Sequence, residues 1–173
     1  MVKIYCARKM TGLSAKDVVE DAKKVREQIK FWFGKRVKIL DPVEEEGVKS
    51  SSKPISSTPD LLQRYWQRDK EMIREAHVLL DLAGPAKSEG VLMEIGYARF
   101  FLFKPVVRIW PNLGSSVGRL EADAVVDNLN QAIFLIDRKW GTPYKRFKWR
   151  FALIKRCLIN YLRIRFLVLI DWR

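Results

Sequence analysis

Glu94 is the single acid in an apolar run, Leu92-Met93-Glu94-Ile95-Gly96-Tyr97-Ala98, which the pattern places in the first turn of a helix. A carboxylate near a helix N-terminus is held as the anion by the helix dipole, and an ionised carboxylate is what nucleophilic displacement requires. Attack at a sugar anomeric carbon would give a glycosyl-enzyme ester that a second nucleophile resolves, and the leaving group would call for a proton donor. Asp69, on the helix preceding the most apolar strand, is the candidate partner. Spacing by itself supports plainer roles as well. Glu94 fits a residue that complements the dipole, and Asp69, between Arg68 and Lys70, fits a solvated surface charge.

Other polar groups gather around the same place in the predicted order of elements. The loop after the first strand brings Arg8 and Lys9, and the loop before Glu94 brings Ser88 and Gly90. In an open parallel sheet, ligands bind beyond the carboxyl ends of the strands, which is where both loops fall. Arg8 and Lys9 also fit ordinary loop charges, and Ser88 a helix cap. Tyr5 and Tyr97 fit core aromatics with a wet hydroxyl. His77 has no companion histidine, and Cys6 and Cys157 lack metal-ligand spacing, so no metal, cofactor or disulfide framework is expected.

The elements that must position these groups alternate. Val2 to Cys6, Val37 to Leu40, His77 to Leu82, Pro105 to Trp110 and Ala124 to Val126 read as strands. Helices are expected over 15–33 with Ser14 as cap and Gly34 as stop, from Pro59 to about Ala76, from Val91 to Phe103, and from Asn128 to about Ile136. The polar stretch from Asp41 to Thr58 reads as a long loop, a candidate lid. Strand and helix in repeated alternation predict an α/β fold, a parallel sheet with helices on both faces.

A chain of 173 residues with 48% hydrophobic content suits one domain. The net charge of +13 is unevenly spread: residues 138–173 hold 11 Lys or Arg against one acid, Asp171. The expected division is therefore a domain over 1–137 and a basic amphipathic extension over 138–173. In that extension Lys145, Lys148, Lys155, Arg156 and Arg163 share an arc of about 100° at helical spacing. Packing of its apolar face on the body or on another subunit is the expected arrangement. Membrane-surface contact through Trp149, Phe151 and Phe166, or nucleic-acid contact, are the alternatives. No apolar run of the roughly 18–20 residues needed to span a bilayer occurs and no secretory signal is evident, so with two cysteines far apart the expected setting is cytoplasmic, with peripheral membrane contact through the extension as the alternative.

Four blocks resemble the nucleoside 2-deoxyribosyltransferase family in order and spacing over roughly residues 1–137: KIYCARKMTG at Lys3 to Gly12, RDKEMIREAHVLLDL at Arg68 to Leu82, SEGVLMEIGYARFFLFKPVV at Ser88 to Val107 and, more weakly, ADAVVDNLNQAI from Ala122. The resemblance implies a doubly wound, flavodoxin/Rossmann-like sheet of about five strands. It implies Glu94 as nucleophile, Asp69 as the group that positions the nucleoside and handles protons at the base, and Tyr5 as the residue that orients the glutamate. Ser88 stands where transferases of free nucleosides carry aspartate, which resembles the branch cleaving nucleoside 5'-monophosphates. A serine there donates to a phosphate that an acid would repel. Arg8 and Lys9 replace small residues of the family loop and add positive charge near the expected phosphate, and His77 stands where relatives commonly have aspartate. The family's shared sites imply a homodimer or larger homo-oligomer, with Ser115 or Ser116 reaching a partner's phosphate. The function implied is hydrolysis of the N-glycosidic bond of a (2'-deoxy)nucleoside 5'-monophosphate, with base exchange or a non-catalytic nucleotide-sensing module as alternatives.

Overall fold

The computed structural model describes residues 1–10, 12–45, 47, 59–84, 89–110, 122–149 and 151–152. Their elements run β1 (Val2–Ala7), α1 (Ala15–Phe33), a 3-10 turn (Gly34–Arg36), β2 (Val37–Leu40), α2 (Pro42–Glu45), α3 (Pro59–Glu75), β3 (Val78–Asp81), α4 (Glu89–Gly96), β4 (Val106–Ile109), β5 (Ala124–Val126) and α5 (Leu129–Trp140). The five strands form one sheet in the order β2-β1-β3-β4-β5, every pairing parallel. This is the flavodoxin-like order, and the expected doubly wound α/β fold is the one found.

Alternation along β1 divides the core. Val2, Ile4 and Cys6 face the layer made by α1 and α5, with Ile29, Phe33, Ile133, Ile136 and Trp140. Tyr5 and Ala7 face the opposite layer, with Met72 and Ile73 of α3 and Val91 and Ile95 of α4. β3 is buried at all four positions, as a central strand covered on both faces should be. Ser14 caps α1, accepting from the Asp17 N–H, and Gly34 ends it at φ 54°, a conformation that a side chain would strain.

Three elements depart from expectation. The polar stretch after β2 begins with α2, because Pro42 is pre-set for a first helical position and the Asp41 carboxylate accepts from the Val43 N–H. Beyond Glu45 only Gly47 of this stretch is described, so the lid reading lies outside the described residues. The helix expected to reach Phe103 leaves α geometry after Gly96 and closes with a π-helical turn, Tyr97–Phe101, in which the Leu102 N–H reaches the Tyr97 carbonyl. Pro105 cannot continue a helix, and the chain reverses through Phe103 at φ 50° to enter β4. Finally, α5 runs to Trp140 rather than ending near Ile136, because that indole is 1% exposed within the core. Residues 143–149 and 151–152 are again helical, and Trp149 stacks edge-on against Trp140 at 6.2 Å. Trp149, half-buried, thus packs against the core.

Candidate active site

The sheet order reverses at β1. The chain leaves β1 toward α1 on one face and leaves β3 toward α4 on the other, so a crevice opens beyond the ends of these two strands. The acids enter it from two helices by the same device. Along α3 and the residue after it, the buried Asp69, Met72, Ile73 and Ala76 follow one helical stripe, and along α4 and the π-helical turn that continues it, Val91, Glu94, Ile95 and Ala98 follow another. Each acid therefore occupies a core-facing position, with the apolar members of its stripe packed on the sheet. Asp69 and Glu94 are both only 7% exposed, which overturns the solvated-surface alternative for Asp69.

Tyr5 lies beneath them. It pairs with Leu40 of β2 and Leu79 of β3 and is fully buried. Burial, then the charges of Glu94 and Asp69, then hydrogen bonding to each, push its phenol well above the ordinary tyrosine range, so it stays a neutral O–H donor facing two carboxylates. By strict geometry the Tyr5 hydroxyl and Asp69 Oδ1 still lack a hydrogen-bond partner. The three groups are close enough to perturb one another without being locked, a looseness that substrate binding commonly tightens. Burial pushes the Asp69 carboxyl up to about 6, outweighing the Tyr5 hydroxyl and the Arg68 charge that lower it. A carboxyl in that range can give and take a proton near neutral pH.

The cleft above the acids holds about 400 Å³, the scale of a small-molecule site. Its walls include Met10, Trp66, Val91 and Met93, with Gln63 and Tyr65 at the side. Trp66 is propped from behind: Tyr97, in the π-helical turn, meets it edge-on at 5.8 Å and accepts a 2.7 Å hydrogen bond from Arg74 Nε. Flat apolar walls over two acids suit a planar ring carried on a polar group.

Of the other residues expected here, Gly90 lines the cleft in the first turn of α4. Arg8 also lines it, but its two terminal nitrogens bind Asp21 at 2.6 Å and Asp41 at 2.8 Å, so its charge is compensated and its main work is to tie β1 to α1 and β2. Lys9 is half-buried and stands outside the lining. Ser88, Ser115 and Ser116 lie outside the described residues. His77 anchors the start of β3, its Nδ1 accepting from the Lys3 N–H at 3.0 Å. Cys6 is buried on the far face, its thiol pushed up to about 12 by burial and Asp41, which leaves it unreactive.

The sequence reading missed the cleft walls and one clamp. Asp81 and Arg108, both fully buried, pair at 2.6 Å between the ends of β3 and β4, and Asp81 also accepts from the Ala83 N–H. The signal was present: one acid and one cation each interrupt an otherwise apolar central strand, and buried charges persist there as pairs.

Fold and site together define a parallel α/β protein with two buried carboxylates and a phenol under an apolar cleft at the topological switch point. No protein-family model matches the chain, and no curated protein sequence does. Among solved structures it is similar to a 2-deoxyribosyltransferase from Bacillus psychrosaccharolyticus, with TM-score 0.54 and 18% identity over 76% of this chain and 90% of that one. A conserved protein from Enterococcus faecalis V583 is similar at TM-score 0.56 and 19% identity, covering 80% of this chain and 98% of its own. A slighter overlap, TM-score 0.46 at 13% identity, is with the Clostridium botulinum CMP N-glycosidase BcmB. The first two likenesses establish a shared fold.

Proposed function

We propose that the protein is an enzyme that cleaves the N-glycosidic bond of a (2'-deoxy)nucleoside 5'-monophosphate, with Glu94 as nucleophile. The observation that carries the reading is the convergence of Glu94, Asp69 and Tyr5 in one buried cluster under the cleft. The Glu94 carboxylate attacks C1', the C1'–N bond breaks, and Asp69 gives its proton to the departing base. Tyr5 donates to the carboxylates and so orients Glu94. Water then attacks C1', returning Glu94 to the anion and its proton to Asp69, and (deoxy)ribose 5-phosphate leaves with net retention at C1'. Trp66 and Met10 supply apolar surface for the base. The phosphate falls to Ser88, Lys9 and the first turn of α4 at Gly90, where the helix dipole favours an anion.

Base exchange is the second reading, favoured by the likeness in fold to a 2-deoxyribosyltransferase. The first half-reaction is unchanged, and an acceptor base takes the place of water. Either cycle needs no metal or organic cofactor, and a partner subunit supplying Ser115 or Ser116 would complete the phosphate end.

The test is chromatographic detection of free base from ribo- and deoxynucleoside monophosphates, with and without an acceptor base. Release is expected from a monophosphate and is expected to fall at least about 10³-fold in Glu94→Ala, which removes the nucleophile. Absence of release from every substrate would sink the enzyme reading. Equal reaction of nucleosides without phosphate would remove the role given to Ser88.

A further inference from the structure

The edge of the sheet opposite the cleft carries the other unusual surface. α5 ends there at Trp140, and the helical residues 143–149 that follow cross beneath it, where Pro143, Arg146 and Phe147 face the end of α3 and the start of β3 across a cavity of about 370 Å³. The inner side of this helix is fixed. Trp149 stacks on Trp140, and Arg146 Nη1 donates to the Trp140 carbonyl at 3.1 Å.

That anchoring leaves a solvent-exposed stripe, of which Phe147 also lines the cavity. Tyr144, Phe147 and Phe151, three and four residues apart and hence on one helical face, are 73%, 69% and 64% exposed. Lys145 and Lys148 are exposed along one side of the stripe. Phe31, 90% exposed, lies in the last turn of α1 at the same edge of the sheet. Three aromatics contiguous on one face form an exposed apolar patch of the kind that marks a docking site.

We propose that this face docks on an anionic membrane surface, the aromatic stripe entering the headgroup boundary while the flanking lysines meet lipid phosphates and carboxylates. Charge decides the occupant. Among the described residues from 138 onward there are five Lys or Arg, with Lys145 and Lys148 exposed beside the stripe, and no acid, so a second copy of the same face would meet its own sign, whereas an anionic bilayer complements it. An interfacial helix pairs an aromatic stripe with lysines beside it, which is the pattern present. Among the described residues no helix is long and apolar enough to cross a membrane. Docking at this edge leaves the cleft, at the opposite edge, open to solvent. This inference stands independently of the reading of the cleft.

The experiment is flotation of the full chain with phosphatidylcholine vesicles, with and without phosphatidylserine. Binding is expected to the serine-containing vesicles, to weaken as salt rises, and to fall at least about tenfold in Phe147→Ser/Phe151→Ser, which removes two rings from the headgroup boundary. Lys145→Glu/Lys148→Glu is expected to lose at least about thirtyfold, since each lysine near such a surface contributes about fivefold. Equal flotation with neutral vesicles, unchanged flotation of both variants, or binding of duplex DNA that the phenylalanine variant retains while vesicles go unbound would each overturn the proposal. A large drop in melting temperature of the phenylalanine variant, with flotation unaltered, would show instead that the chain itself covers the stripe.

Discussion

Two acids on one helix live in opposite worlds. Asp69 and Glu75 both belong to α3, about 9 Å apart along its axis. Glu75, at the edge where the strands begin, takes Lys38 Nζ at 2.8 Å and Lys3 Nζ at 2.9 Å, and those hydrogen bonds, Lys38 first, hold its carboxyl down to about 2. Asp69, near the edge where the strands end, is buried among Met72, Ile73 and Tyr5, and its carboxyl rises to about 6. The same chemical group is made structural at one edge and reactive at the other by what surrounds it. Lys104 repeats the contrast: buried beneath the sheet, it caps carbonyls of Ile73, Arg74 and Ala76 at the end of α3. One edge uses its charges to hold the helix, and the other buries two carboxylates beside a neutral phenol, the condition expected of a site.

Replacing Asp69 breaks the comparison most sharply. An unfolded aspartate titrates near 3.8 and the folded one near 6, so between those values the folded state holds the extra proton and stability falls as pH rises. Above about pH 6 the ionised, buried group destabilises the fold by about 3 kcal/mol. Asp69→Asn is therefore expected to melt higher than the parent at neutral pH, by up to that amount, and to lose the pH dependence of stability between about 4 and 6. The same substitution removes the proton donor, so base release should fall roughly 10²-fold or more. In the parent, release should decline as pH rises through about 6, where Asp69 loses its proton. Melting curves and rates across that range check both. A variant that is less stable and equally active would return Asp69 to the same class as Glu75.

Tyr5→Phe sharpens the comparison from beneath. The phenol is the neutral donor between two carboxylates, and without it their mutual repulsion is less damped. Loss of its lowering influence should raise the Asp69 carboxyl further, moving the pH at which base release declines upward. The rate itself is expected to drop about tenfold, as for an orienting hydrogen bond rather than a reacting group. A pH–rate profile distinguishes this from a packing effect, which would leave the position of the decline unchanged.

How much of this was legible follows the physics of each feature. The strands and the alternation of layers come from apolar patterning, and Ser14, Gly34 and Asn128 mark helix ends through local hydrogen bonds and backbone freedom, so these were readable. Asp69 was half readable. Its neighbours Arg68 and Lys70 suggest solvent, but its spacing to Met72, Ile73 and Ala76 places it on the buried stripe. Periodicity outranks immediate neighbours on a helix, because residues one apart do not share a face. The compensation of Arg8 was not readable, since Asp21 and Asp41 come from α1 and the end of β2, and only the folded register brings them to one guanidinium. The packing of Trp149 on Trp140 was hidden for a related reason: both indoles looked like members of a basic tail, and their contact depends on the turn at Gly141.

The smallest effect belongs to Glu75, and its smallness is the point. Its carboxyl is held down to about 2 in the fold against 4.5 when free, so the ion pairs contribute stability above about pH 4.5 that is lost as pH falls toward 2. The group is a third exposed, so water and salt screen most of that coupling. Glu75→Gln is thus expected to cost only about 0.2–1 kcal/mol at neutral pH, less in high salt, with base release unchanged. Urea denaturation at low and high ionic strength measures it. A loss above about 2 kcal/mol that salt does not reduce would mean that the network of Lys3, Glu75 and Lys38 behaves as a buried pair, with desolvation governing both edges of α3 rather than one.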